Sequence, residues 1–164
     1  MRLGVVSDTH GNLTNTAKAV QLLRELNVEV VIHCGDIGSP AVVHEFAEWS
    51  THFVFGNVDQ DPVLLEQAIR DAEQNSHQRF GELILADRKI AFLHSDDQRR
   101  FQETIHTGEY DLVCYGHTHN AESHTEGRTL VLNPGAIHRA NPHTIATVDL
   151  STMLVEHHPL EPNG

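Results

Sequence analysis

The sequence predicts an α/β protein in which two packed β-sheets carry helices on their outer sides. Two observations predict it. The first half alternates short apolar runs with helical periodicity three times, the pattern of βαβ units and a parallel sheet. The second half is a series of short strand-like runs separated by turn residues and interrupted by one helix, and it reads as mostly antiparallel. At 164 residues the chain, 1–164, is expected to form one domain, long enough to bury roughly two-thirds of its unfolded surface.

The elements follow in order. Residues 3–7 (LGVVS) form an apolar run that ends at Asp8. Asn12 offers a helix N-cap, and Leu13, Ala17, Val20, Leu23 and Leu26 fall at helical spacing. A second strand is expected over 28–33, and a second helix over 40–49, with Ser39 as cap and Pro40 in the first turn. A third strand covers 51–55. A third helix runs over 62–71 behind Asp61. Runs at 80–86 and 89–94 flank Asp87-Arg88 and suggest a hairpin, and a helix follows over 98–107. Strands are then expected at 111–115, 122–126, 129–132, 144–149 and 153–157, with turns at Gly127, Pro134-Gly135 and Asn141-Pro142.

Composition narrows the function. The formal net charge is −12, and the 11 lysines and arginines form no dense basic stripe, so stable binding of long nucleic acid is disfavoured. One arginine and a short apolar run lead straight into polar residues, which is not a signal-peptide pattern. No apolar run approaches the roughly 18 residues of a membrane-spanning helix. A cytoplasmic location without a membrane partner is the expectation. Cys34 and Cys114 each end an apolar run and read as buried strand-end thiols, not a disulfide.

The 14 histidines supply many metal donors, and about one H-x-H pair is expected by chance at that content. Order and position carry more information. Asp8-Thr9-His10, Gly35-Asp36, Gly56-Asn57-Val58-Asp59, His94 and Gly116-His117-Thr118-His119 each follow a predicted strand. Ligands of open α/β sheets bind beyond the carboxyl ends of the strands, so five such loops can converge. In extended chain, residues i and i+2 project to one side, so Asp8 and His10 can share an ion. His117 and His119 can do the same, or diverge to two ions. Glycine before a ligand lets the backbone pass close without a clash. Imidazole with carboxylate suits Mn, Fe, Zn, Ni or Co, and neither cysteine has a structural-zinc spacing.

As an ordered set, DTH (8–10), GD (35–36), GN (56–57), H (94) and GHTH (116–119) resembles the calcineurin-like metallophosphoesterases, and most of all their small bacterial and archaeal branch. The similarity runs from Asp8 to the NPGA segment at 133–136. It implies a four-layer α-β-β-α sandwich, two mixed sheets flanked by helices, with two divalent ions at the strand ends. Manganese is the expected ion. The resemblance places Asp8, His10 and His119 on the first ion, Asn57, His94 and His117 on the second, and Asp36 on both. It implies hydrolysis of a small phosphate ester, preferably a phosphodiester, by hydroxide generated between the two ions. With only two anionic ligands the loaded site would carry a charge of about +2, enough to attract phosphate locally despite the acidic surface. Homo-oligomerisation is also implied.

Two positions depart from the family pattern. Larger relatives often carry GNHD, whereas here Val58 follows Asn57. The small branch often shows HGH, whereas here His94-Ser95-Asp96 stands. No imidazole acid is evident, so aryl or anhydride leaving groups are favoured. Asp59 and Asp96 are candidate carboxylates for orienting ligands or assisting catalysis. Asn133-Pro134-Gly135-Ala136 reads as a tight turn under the metal loops, Arg139 as solvated or in contact with substrate, and His33 as a core or ligand-supporting histidine. His44, His52, His77, His106, His124, His143, His157 and His158 fit no motif. The alternatives are a non-catalytic scaffold on the same fold, a nuclease, and a histidine-based metal-storage module. All seven expected ligand positions are filled, which favours an enzyme.

Overall fold

The computed structural model describes residues 1–161. The first sheet takes β1 (Arg2–Val6), β2 (Val30–His33), β3 (Ser50–Phe53) and the two-residue β4 (Asn75–Ser76) in parallel. β5 (Phe80–Leu85), β6 (Arg88–Leu93), β7 (Leu112–Cys114), β8 (Ala121–Glu126) and β9 (Thr129–Pro134) make the second sheet, in the order β5-β6-β7-β9-β8. The chain then returns to the first sheet. β10 (Thr144–Asp149) lies antiparallel to β1, and β11 (Leu154–Pro159) antiparallel to β10.

Three apolar clusters separate four layers. α1 (Leu13–Glu25), α2 (Pro40–Glu45) and α3 (Pro62–Asp71) cover one face of the first sheet, with Leu23, Phe46 and Ile69 against Val31 and Phe53. Leu3, Val5 and Ile32 meet Phe92, Leu112 and Leu132 between the sheets. α4 (Gln98–His106) sets Phe101 and Ile105 on Val113 and Tyr115 of the second sheet's outer face. Apolar groups leave water on both faces of each sheet, which is why strands β1, β2, β6, β7 and β9 read as nearly continuous apolar runs. The expected α-β-β-α sandwich is therefore the fold.

Several local expectations change. The second half is mostly antiparallel, as expected, through the β5-β6, β8-β9, β10-β11 and β1-β10 pairs, but β6, β7 and β9 run parallel, because α4 carries the chain from β6 back to β7 as a crossover. The α2 helix stops at Glu45 and not at Trp49. Beyond it Phe46 and Ala47 bond back three residues, to Val43 and His44, and the Trp49 indole donates to the Val28 carbonyl. The hairpin turns on Ala86-Asp87, one residue before the expected Asp87-Arg88. Both turn residues have positive φ, 48° and 61°, and Arg88 instead pairs with Leu85. Asn12 and Asp61 cap their helices through side-chain oxygens, whereas Ser39 makes no side-chain cap bond. Cys34 and Cys114 are buried free thiols in the layer between the sheets.

Candidate metal centre

The five predicted loops do converge. Asp8, His10 and His119 bring one donor atom each to within 4.8 Å of one another, and so do Asp8, Asp36 and His94. His119 Nε2 lies 3.1 Å from Asp8 Oδ1, and His10 Nε2 lies 3.6 Å from the same oxygen. Asp36 Oδ2 lies 3.3 Å from His10 Nε2 and 3.2 Å from His94 Nε2, so one carboxylate oxygen faces both groups. Asn57 Oδ1 is 3.1 Å from His94 Nε2. The His117 ring packs edge-on to His94 at 5.0 Å, whereas His119 packs on His10 at 5.5 Å. The two imidazoles of the H-x-H pair thus diverge.

The local backbone is not the extended chain that i, i+2 reasoning assumed. Asp8, His10, Asp36, His117 and His119 all have positive φ, between 45° and 70°. Left-handed bends at non-glycine residues cost energy and persist where the surroundings over-determine them, commonly at functional sites. The glycines leave space for ligand side chains and their supports. A β-carbon on Gly56 would overlap Asp36 Oδ1, one on Gly116 would overlap the Ser7 hydroxyl, and one on Gly35 would stand 2.8 Å from His94 Nδ1.

Four of the donors are aimed by neighbours. His94 Nδ1 is 2.8 Å from the Cys34 carbonyl and His119 Nδ1 is 3.2 Å from that of Arg139, which turns each Nε2 into the site. Asp8 Oδ2 accepts from the Ser7 hydroxyl and from His117 N–H at 3.1 Å, and Asp36 Oδ1 accepts from Val58 N–H at 3.1 Å. Burial alone would raise both carboxyl pKa values. For Asp8 the nearby His10 imidazole, the charge of His94 and the Ser7 hydrogen bond outweigh it, and for Asp36 the contact with His94 does, so both titrate below the usual carboxylate range. Burial likewise opposes charge on His94, but the Asp36 contact and the charges of Asp36 and Asp8 raise its pKa above the ordinary value.

These residues fit a divalent cation. Asp8 Oδ1 and His10 Nε2 are buried and have no hydrogen-bond partner among the described residues. Unmatched buried donors and acceptors are costly, and a cation would satisfy both. Mixed carboxylate, imidazole and amide donors suit first-row divalent ions.

The two extra carboxylates have different surroundings. Asp59 is buried, and among the described residues its carboxylate hydrogen-bonds to none of the seven candidate ligand side chains. Its carboxylate accepts from the backbone N–H groups of Ile37 (3.1 Å), Gly38 (2.9 Å) and Gly56 (2.8 Å), tying the Asp36 loop to the Asn57 loop. Asp96 pairs with Arg79, whose guanidinium also donates to the Gly56 carbonyl at 3.1 Å. Asn133 is buried and donates to the Gly116 carbonyl and the Thr118 hydroxyl, so NPGA does underlie the H-x-H loop. His33 is a satisfied core histidine between Phe46 and Phe53, bonded to Thr9 and Gly35. Sequence reasoning missed Arg79, which has no motif, and His138. The ring of His138 lies 5.4 Å from that of His10, two residues beyond NPGA.

The fold and this cluster define a metal-dependent phosphoesterase. The calcineurin-like phosphoesterase superfamily domain matches residues 1–153, and the chain belongs to that family. It is 36% identical over 138 residues to a phosphodiesterase of Methanocaldococcus jannaschii, a stretch that covers 82% of this chain and 83% of the relative. A solved archaeal phosphodiesterase superposes with a TM-score of 0.90 at 32% identity, covering 98% of this chain and all of that one. Vacuolar Protein Sorting 29 of Cryptosporidium parvum, at 17% identity, TM-score 0.63 and coverage of 96% and 95%, shares the fold alone.

Proposed function

We propose that the protein hydrolyses small phosphodiesters at a centre of two divalent cations. Asp8, His10 and His119 would hold the first, Asn57, His94 and His117 the second, and Asp36 would lie between them. The observation that carries this reading is the single Asp36 oxygen 3.3 Å from His10 Nε2 and 3.2 Å from His94 Nε2. Manganese is the expected cation, and the donor set also accepts zinc, iron, nickel or cobalt. When bound, such ions supply Lewis acidity that polarises phosphoryl oxygens and makes a water nucleophilic near neutral pH.

The chain's own residues supply position. Cys34 and Arg139 carbonyls fix two imidazoles, Asp59 fixes two loops, and Arg79 anchors the Gly56 carbonyl. A cleft of about 550 Å³ opens beside His119, lined by Thr118, Asn120, Arg139 and Asn141 among others. Such an open, polar cleft accommodates a second substituent on phosphorus, which supports a diesterase, as do the relatives named above. The reading takes 1–164 as one metallophosphoesterase domain. It also includes a cytoplasmic setting, supported by the two unpaired buried thiols. Long nucleic acid is disfavoured by the net charge of −12. Self-association is part of the reading and is measurable by light scattering.

The test is hydrolysis of bis-p-nitrophenyl phosphate by chelator-stripped protein titrated with Mn²⁺, beside Asp36→Asn. Activity that saturates near two equivalents, with an inactive variant, is the expected result. A wild type inactive with Mn²⁺, Ni²⁺, Co²⁺ and Zn²⁺ would favour a non-catalytic scaffold.

A further inference from the structure

We propose that His138 contacts the substrate, donating a hydrogen bond from Nε2–H to an oxygen of the phosphoryl group on the Asp8–His10–His119 side of the centre. This rests on the phosphoesterase reading and adds a residue that none of its motifs contains.

A chain of hydrogen bonds runs to His138 from the N-terminal end of α1. Asn12 caps α1, and its Oδ1 accepts from Asn15 N–H at 3.0 Å. A carboxamide has one acceptor oxygen and one donor nitrogen, and the cap fixes which way round this one sits. Asn12 Nδ2 therefore faces His138 Nδ1, at 3.4 Å. An amide nitrogen only donates, so Nδ1 carries the lone pair and the ring proton is on Nε2. The cap of α1 thus sets the tautomer of an imidazole on the far side of the sequence.

Position completes the case. His138 N–H donates to the Asp8 carbonyl at 3.0 Å, so the backbone of His138 is tied to the first metal loop. Its ring lies 5.4 Å from that of His10, tilted by 39°. The residue is half-buried, next in the chain to Arg139 of the open cleft, and no described residue hydrogen-bonds its Nε2. An oriented donor with no protein acceptor, next to a ligand of the first ion, is placed for an oxygen that arrives with substrate. Such a donor gains strength as charge builds on phosphoryl oxygens in the transition state. Val58, after Asn57, has an apolar side chain and supplies no comparable group.

The experiment compares His138→Phe, which keeps a ring without the donor, with His138→Gln, which restores an N–H. Four quantities are measured: kcat/KM for bis-p-nitrophenyl phosphate with Mn²⁺, inhibition by inorganic phosphate, metal stoichiometry and Tm. His138→Phe should lose about tenfold in kcat/KM, an effect below that of a fully buried oxyanion donor. It should also weaken phosphate inhibition several-fold with stoichiometry and Tm unchanged, and His138→Gln should recover part of both. Independently, ¹⁵N NMR of the wild type should show the Nε2–H tautomer at His138, and its resonances should move when inorganic phosphate is added. An Nδ1–H tautomer, unmoved resonances, or a folded His138→Phe with wild-type kcat/KM and phosphate inhibition would each overturn the assignment. A wild type that shows no turnover with any metal defeats the phosphoesterase reading, and the phosphate-dependent NMR of the protein, metal-loaded or metal-free, still decides the role of His138.

Discussion

Gly56 and Asp36 pack so closely that a β-carbon on the glycine would overlap the aspartate's Oδ1. The remaining oxygen, Oδ2, faces His10 and His94 from that position. Gly56→Ala must therefore push the carboxylate away from both imidazoles or part the two loops. Overpacking of this kind costs about 1–3 kcal/mol of stability. The expected functional loss is larger, roughly a hundredfold in Mn²⁺-dependent turnover, because a displacement near 1 Å is costly for a positioned group. Kinetics and metal stoichiometry on the folded variant check it. Wild-type turnover would mean that Asp36 is not needed where it stands.

Asp59 and Asp96 should separate cleanly under the same substitution. Asp59→Asn replaces an acceptor-only group, bonded to three backbone N–H groups, by an amide that must turn its NH₂ toward one of them. Each hydrogen bond to a charged group is worth about 1.5–3 kcal/mol, so a loss of about 2–3 kcal/mol is expected. That corresponds to a fall in Tm of about 2–4 °C per kcal/mol, and metal affinity should drop with it. Asp96→Asn touches a half-exposed pair with Arg79 and should cost about 1 kcal/mol or less, leaving metal stoichiometry intact. Thermal melts and metal titrations of the two variants decide it. Equal losses would contradict the assigned difference.

The layers of the fold were legible because burial on both faces writes continuous apolar runs into β1, β2, β6 and β7, and because Asn12 and Asp61 announce helix starts. Parallel pairing in the second sheet was not legible, since short strands look alike whichever way their neighbours run. The Ala86-Asp87 turn was hidden because alanine has no preference for positive φ, while Asp-Arg looked more turn-like. The seven candidate ligands stood out through their order and their glycines. Asp59, by contrast, was visible as a carboxylate, but two of its three N–H partners, Ile37 and Gly38, lie in a loop some twenty residues away. His138 was lost among 14 histidines, and only the Asn12 cap singles it out.

Metal uptake should release protons. Asp36 and Asp8 hold a proton on His94 above its ordinary pKa, and the same Nε2 is the nitrogen offered to a cation. Binding must displace that proton, so apparent affinity should rise with pH from about 6.5 through the raised pKa of His94 and then level off. The two carboxylates titrate lower and are already ionised in this range. Calorimetry of Mn²⁺ or Zn²⁺ binding in buffers of different ionisation enthalpy gives the proton count directly. A count of zero near neutral pH would rule out a protonated His94 in the metal-free protein.

Acid stability should depend on His33. Its Nδ1 accepts from Gly35 N–H at 3.2 Å, and its Nε2 lies 3.0 Å from the Thr9 hydroxyl, which itself donates to the Ile37 carbonyl at 2.9 Å. The neutral ring is therefore fully matched, and a second proton would have to break the Gly35 bond. It would also place a charge between Phe46 and Phe53 with no solvent contact. Burial accordingly pushes the His33 pKa down to about 3 from 6.5, against the attraction of Asp8 and Asp36. The unfolded chain takes up the proton first. The contribution is therefore fully present above about pH 6.5 and is lost as pH falls from there toward 3. Each unit in that window costs up to about 1.4 kcal/mol, and bound cations would repel the proton further. Tm should fall by about 2–4 °C for each kcal/mol lost. In His33→Gln, where an amide replaces the titratable ring, the Tm–pH profile between pH 6.5 and 4.5 should be flatter than that of the wild type, whatever the absolute stability of the variant. Parallel profiles would mean that His33 remains neutral in the unfolded chain as well, or that it gains its proton without leaving Gly35.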